Sequence, residues 1–202
     1  VRAVFGEVRS SAVPLGWEDR WRAFHRPVVV GGLWIGPPWL RAPRGVPAVV
    51  VDPGRAFGTG AHPTTRACVE LLARGARRGS VLDAGCGSGV LAVAAARLGY
   101  GPVVAVDLDP VAVAVARATC RANGLAIDVR RGNALRDDLP QVDLLLANVD
   151  RLTVERVLAR RAAAAAITSG YLVGDTIAAP GWERSDRLEL DGWAADAWIR
   201  RD

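Results

Sequence analysis

The sequence contains no methionine, and all of its positive charge is carried by arginine, with no lysine at any position. Without an initiating methionine, Val1 is read as the start of a fragment, of a processed form, or as a start codon decoded as valine. Cysteine is scarce. Cys68, Cys86 and Cys120 form no C-x-x-C pair and leave an odd thiol, which excludes a disulfide framework and predicts reduced core residues of a cytoplasmic protein. Only two histidines are present, His25 and His62, too few and wrongly spaced for a metal site, so no metal is expected. No apolar run is long enough to span a bilayer; the stretch 162–167 falls far short, and a membrane partner is not expected. Residues 1–10 are mixed and polar, unlike a secretory signal.

What is present is an ordinary globular balance, with 50% apolar and 23% charged residues, and a length that suits one domain with a full core. The net charge of +5 keeps RNA open as a partner. The arginines are scattered among acids, however, and no basic stripe or stacking platform is visible, so RNA is not favoured. The abundance of alanine, valine, glycine and arginine reads as coding bias.

Periodicity organises the chain into an extended lead-in at 1–14 and an amphipathic helix at 17–24, where Trp17, Trp21 and Phe24 recur at helical spacing. A strand pair at 28–35 turns at Gly31-Gly32, a proline- and glycine-rich loop fills 36–47, and a short buried strand follows at 48–51. The loop 52–65 opens a helix with Thr64 or Thr65 as its N-cap and with Cys68, Leu71 and Leu72 facing the core. Beyond it, strands are expected at 81–84, 103–107, 127–131, 142–147 and 170–177, and helices at 90–98, 110–122 and 152–166. The last of these helices rests on its alanine run. A hairpin of 187–190 and 193–199 closes at Asp191-Gly192. The expected fold is α/β: a Rossmann-like, doubly wound, mostly parallel seven-stranded sheet ending in an antiparallel hairpin. Residues 1–47 are read as a lead-in packed on a catalytic domain at 48–202.

The chemistry concentrates in VLDAGCGSG at 81–89 and VVAVDLDP at 103–110. Together they read as strand, glycine turn, helix, strand and acid, the way such a sheet holds a nucleoside. Gly85, Gly87 and Gly89 give G-x-G-x-G rather than the G-x-G-x-x-G of a dinucleotide site. Asp109, next to Pro110, is the better helix cap, which leaves Asp107 for the ribose hydroxyls. This arrangement resembles motif I and the following acidic position of S-adenosylmethionine-dependent methyltransferases. Asn133, after the third sheet strand, is read either as an acceptor for an adenine amino group or as a turn residue. Asn148 ends the fourth strand at the carboxyl edge of the sheet, and is read either as an amide that can receive a substrate amine or as a strand-end turn residue. The segment DPGRAFGTGAHPTT at 52–65 is read as a glycine-rich lid, with Phe57 as its apolar face and Gly54, Gly58 and Gly60 giving mobility. His62 is read there either as a base or, as is more usual for a lone loop histidine, as a hydrogen-bonding residue.

DPGRAFGTGAHPTT, VLDAGCGSGVLAVAAARLG, VVAVDLDPVAV and LLLANV together resemble the PrmA-type ribosomal protein methyltransferases, as does the lead-in WEDRWRAFHRPVVVGGLWIGPPW. The resemblance covers the chain from about Trp17. It implies methyl transfer from S-adenosylmethionine, with S-adenosylhomocysteine as product, to lysine or N-terminal amines of a ribosomal stalk protein. It places cofactor contacts at Thr64, Gly85, Asp107 and Asn148, with Phe57 in the lid. Gly87 and Asn133 are further cofactor candidates, and Asn148 is the catalytic one. The chain departs from that pattern in three places. The family's N-terminal recognition domain is read as missing, or as cut away before Val1, the helix after the fifth sheet strand is expected only as a remnant at 178–182, and Val149-Asp150-Arg151 follows Asn148 where small or apolar residues are usual. Two alternatives stay open at this stage: methylation of an RNA or small-molecule amine, and a non-catalytic cofactor-binding homologue.

Overall fold

The computed structural model describes residues 25–53, 58–76 and 78–201. The helix expected at 17–24, the lead-in before it, and Gly54 and Phe57 of the lid lie outside the described residues. The chain enters through β1 (Val28–Val30) and β2 (Leu33–Gly36), an antiparallel hairpin turning at Gly31-Gly32, as its sequence predicts. A third strand, β3 (Ala48–Val50), pairs parallel to β2 and completes a small sheet.

The remaining elements alternate: α1 (Pro63–Arg74), β4 (Val81–Ala84), α2 (Val90–Arg97), β5 (Val103–Asp107), α3 (Pro110–Ala122), β6 (Asp128–Arg131), β7 (Val142–Asn148), α4 (Arg151–Ala159), β8 (Ala163–Leu172), β9 (Trp182–Leu190) and β10 (Trp193–Arg200). They form a seven-stranded sheet in the order β6-β5-β4-β7-β8-β10-β9. The strands from β4 to β8 run parallel, and β10 is antiparallel to both β8 and β9. The order reverses at β4, so the carboxyl ends of β4 and β7 flank the crevice in which sheets of this kind bind ligands.

Alternation along the strands builds a core on each face. Val81, Ala105, Leu144 and Leu146 pack on one side with α1, α2 and α3. Leu82, Val106 and Leu145 pack on the other with Val154, Val157 and Leu158 of α4 and with Trp182 and Trp198. All three cysteines are buried free thiols, as their spacing predicts.

Four sequence expectations need correction. The helix 152–166 stops at Ala159, because Arg161 takes a left-handed φ of 51° and breaks it, and the alanines that follow enter β8. Alanine's helix preference amounts to only a few tenths of a kcal/mol per residue over other helix-tolerant types. Here it is overridden by ladders to β7 on one side and β10 on the other, and by the room that Ala163 and Ala166 leave for Trp182 and Trp198. The strand placed at 170–177 is consequently the tail of a longer one that ends at Leu172, where Asp175 accepts the Leu172 amide and turns the chain. No helical remnant forms at 178–182; the chain turns there and enters β9 at Trp182. Finally, α1 is capped by His62 rather than by a threonine. Pro63 occupies the first turn and moves the boundary upstream, leaving Thr64 and Thr65 buried inside the helix.

Candidate active site

The glycine turn follows β4 directly. Gly85 turns at a φ of +77°, and the Gly85 and Cys86 amides both donate to the Val106 carbonyl at 2.9 and 3.0 Å, locking the turn onto β5. Asp107 ends β5 beside it. Its Oδ2 accepts the Gly87 amide and its Oδ1 the Asp109 amide, each at 2.9 Å. A carboxylate offers about four acceptor positions, so both oxygens keep capacity for a ligand. Asp109 caps α3 through the Val111 amide at 2.8 Å, as its place before Pro110 predicts.

Beneath the turn lies Asp83, fully buried, whose Oδ2 accepts the Ala92 amide in the first turn of α2 at 3.1 Å. Burial raises its pKa to about 7; the Ala92 bond works against the rise and the charge of Asp107 adds to it. Ser88, also buried, donates its hydroxyl to the Gly58 carbonyl at 2.5 Å and so pins the end of the lid segment to the glycine turn. Gly58 and Gly60 are themselves buried. A β-carbon on Gly58 would stand 2.9 Å from that hydroxyl, so this glycine permits a close approach of the backbone.

A cavity of about 530 Å³ opens off the carboxyl ends of β4 and β7. Of the sequence-derived site residues, Thr64, Gly85, Gly87, Asp107 and Asn148 line it together. Asn148 stands at the end of β7, its Nδ2 3.4 Å from the buried Thr65 hydroxyl, which leaves Oδ1 as the end of the amide available to a donor. Asn133 lines a neighbouring cavity of about 220 Å³ that shares Gly85, Asp107 and Val149 with the first. Its Oδ1 already accepts the Leu135 amide at 2.9 Å, so it does act as a turn residue, with one acceptor position left over.

The sequence reading did not assign Trp193, Val149, Asp150 or Gly170 to the site, yet all four line the main cavity. His62, read as a base or a hydrogen-bonding residue, lines it too, and its ring meets Trp193 edge to face at 5.1 Å. His62 Nδ1 also lies 2.8 Å from the Thr64 hydroxyl. The only local sign of Trp193 is that it follows the Asp191-Gly192 turn; its approach to His62 is made by the β8–β10 pairing, far away along the chain.

Residues 8–190 match the family described as ribosomal protein L11 methyltransferase (PrmA). A ribosomal protein L11 methyltransferase of Pelotomaculum thermopropionicum is 43% identical over 167 residues, 80% of this chain and 54% of that protein. One from Symbiobacterium thermophilum is 38% identical over 197 residues, 89% of this chain and 64% of that protein. The chain thus spans between half and two thirds of the length of these relatives. The crystal structure of a ribosomal protein L11 methylase from Lactobacillus delbrueckii subsp. bulgaricus shares the fold, with a TM-score of 0.77 at 24% identity, over 88% of this chain and all of that one. The match along nearly the whole sequence, joined to the glycine turn, the Asp107 carboxylate and Asn148 on one cavity, shows that the chain belongs to the PrmA family of ribosomal protein L11 methyltransferases.

Proposed function

We propose that this chain is an S-adenosylmethionine-dependent methyltransferase acting on amino groups of a protein. The observation that carries the reading is the sharing of one cavity by Gly85, Gly87 and Asp107 on the cofactor side and Asn148 on the other. The residues present suit a nucleoside joined to an amino acid. Asp107 stands at the junction of the two cavities, where a ribose would reach it, with the Asn133 side open to a base and the Asn148 side to the rest. A β-carbon on Gly85 would lie 2.5 Å from Val149 Cγ1, so the turn is open only because no side chain is there. When bound, S-adenosylmethionine supplies a methyl group on a sulfonium, whose departure needs no acid.

The protein's task is accordingly to hold, align and dry the reactants rather than to supply a strong base. Asp107 receives ribose hydroxyls with the acceptor capacity its two backbone bonds leave free. Asn148 Oδ1 accepts an N–H of the incoming amine and turns its lone pair into the cavity, while Thr65 holds the other end of the amide. His62 and Trp193 give an apolar wall along which the alkyl part of an amine-bearing side chain can lie. The curated relatives carry ribosomal protein L11 in their names, and a ribosomal protein is the substrate class we assign.

The test is methyl transfer from tritiated S-adenosylmethionine into a ribosomal protein fraction and, separately, into ribosomal RNA. Label in lysine or N-terminal amines of a protein is the expected result. Label in RNA alone would redirect the substrate class, and cofactor binding without any transfer would favour a non-catalytic homologue.

A further inference from the structure

The segment following Asn148 is seated between two glycines from different parts of the chain. The Val149 isopropyl group covers Gly85, as the 2.5 Å separation from a β-carbon there shows. Its backbone covers Gly170: a β-carbon on that residue would stand 2.6 Å from the Val149 carbonyl carbon, 3.1 Å from its nitrogen, and closer still to its oxygen. Gly170 adopts a φ of +102°. It is the extra residue of a bulge, since Tyr171 pairs with Ala194 and Ser169 with Ala195, leaving Gly170 without a partner in β10. Next to it, Ser169 accepts the Val149 amide at 3.2 Å. Bulges of this kind re-aim a neighbouring group at the cost of one unpaired residue.

We propose that Gly170 is a positioning residue for methyl transfer: the side-chain-free bulge of β8 sets where the Val149 peptide stands, and with it the Asn148 amide. The proposal rests on the reading of Asn148 as the amine-orienting group. Its physical basis is that the crowding atoms are backbone. A flexible side chain could rotate away from a new methyl group, but the Val149 carbonyl cannot, so the whole peptide must move. β8 is laddered on both edges, to β7 and to β10, and resists displacement. The short connection from Asn148 to Asp150 yields instead. A displacement of about 1 Å in a group that orients a reactant lowers a rate by about a hundredfold.

The experiment compares the wild type with Gly170→Ala and Val149→Ala. Calorimetry gives the affinity for S-adenosylhomocysteine, and initial rates give kcat and KM for an amine-bearing substrate. In Gly170→Ala, kcat is expected to fall about a hundredfold, with a much smaller loss of S-adenosylhomocysteine affinity, because Val149 and Gly170 line the cavity but the contacts of Asp107 and the Gly87 amide are untouched. Wild-type kcat in this variant, or a loss of product affinity as large as the loss in kcat, would overturn the proposal. Should Gly170→Ala not fold, Val149→Ala carries the test: it keeps every ladder bond and trims only the wedge over Gly85. A drop in its kcat is expected and an unchanged kcat contradicts the seat. Side-chain amide resonances of Asn148, read in the S-adenosylhomocysteine complex, separate this idea from the proposed function. If the wild type transfers no methyl group to amines, the functional reading fails on its own; Asn148 resonances unmoved by Gly170→Ala would then still sink the positioning role.

Discussion

Asn123 holds both polar groups of Val50: its Oδ1 accepts the Val50 amide at 2.8 Å and its Nδ2 donates to the Val50 carbonyl at 2.7 Å. Nδ2 also reaches the Thr119 carbonyl at 2.8 Å. A buried side chain at the end of α3 thereby acts as the neighbouring strand that β3 lacks among the described residues, fastening the small sheet to the large one. An Asn123→Ala substitution leaves the half-buried Val50 amide and carbonyl without this partner, at a cost of about 0.5–1.5 kcal/mol for each hydrogen bond lost. Urea denaturation is expected to show a midpoint lowered to match. A variant as stable as wild type would mean that β3 is held by apolar contacts alone.

Asp107 carries a second prediction. Its removal as Asp107→Ala takes away the acceptor for the Gly87 and Asp109 amides and, on the proposed function, the acceptor for ribose hydroxyls. Hydrogen bonds to a charged group contribute about 1.5–3 kcal/mol, which is a loss of about tenfold to a hundredfold in affinity. S-adenosylhomocysteine titration should show it. Asp107→Asn, which keeps one oxygen acceptor, is expected to fall between the alanine variant and wild type. Normal affinity in Asp107→Ala would remove the carboxylate from the site.

The sheet and much of the cavity were legible because their signals are local. The G-x-G-x-G turn, the acid at the end of β5 and Asp109 before Pro110 each sit within a few residues of the group they serve. The alanine stretch at 162–166 was misread because single-residue propensity is weak beside two ladders and two tryptophans that arrive from later in the chain. Trp193, Asp150 and Gly170 were missed for a related reason. Asp150 looks like an ordinary cap and Gly170 like an ordinary strand-end glycine until β7, β8 and β10 bring them to one rim.

Asp150 separates capping from charge at that rim. Its carboxylate accepts the Thr153 amide at 3.1 Å and the Thr153 hydroxyl at 2.6 Å, and these bonds hold its pKa below the usual carboxylate value. Asparagine is as good an N-cap as aspartate, whereas alanine costs about 1 kcal/mol. Thermal melts should therefore place Asp150→Asn near wild type and Asp150→Ala below it. Equal losses in the two variants would show that the charge, rather than the cap, holds the start of α4.

The buried Asp83 makes stability depend on pH with a definite sign. In the unfolded chain its carboxyl titrates near a pKa of about 3.9, while in the fold burial raises the value to about 7. Between these values the native state binds a proton that the unfolded chain has released. Stability from this residue is therefore full below about pH 4, falls as the pH rises towards 7, and is level above that, with a slope of up to about 1.4 kcal/mol per pH unit. Asp196, whose pKa burial also raises, acts in the same direction, while Asp128 and Asp150, both lowered, act in the opposite one. The contribution of Asp83 is isolated by subtracting the pH profile of Asp83→Asn, whose amide oxygen can still accept the Ala92 amide. Wild type should lose stability relative to this variant as the pH is raised from 4 to 7, read as denaturant midpoints at each pH. Parallel profiles across that range would mean that Asp83 is ionised beneath the glycine turn and that another cation or donor compensates it there.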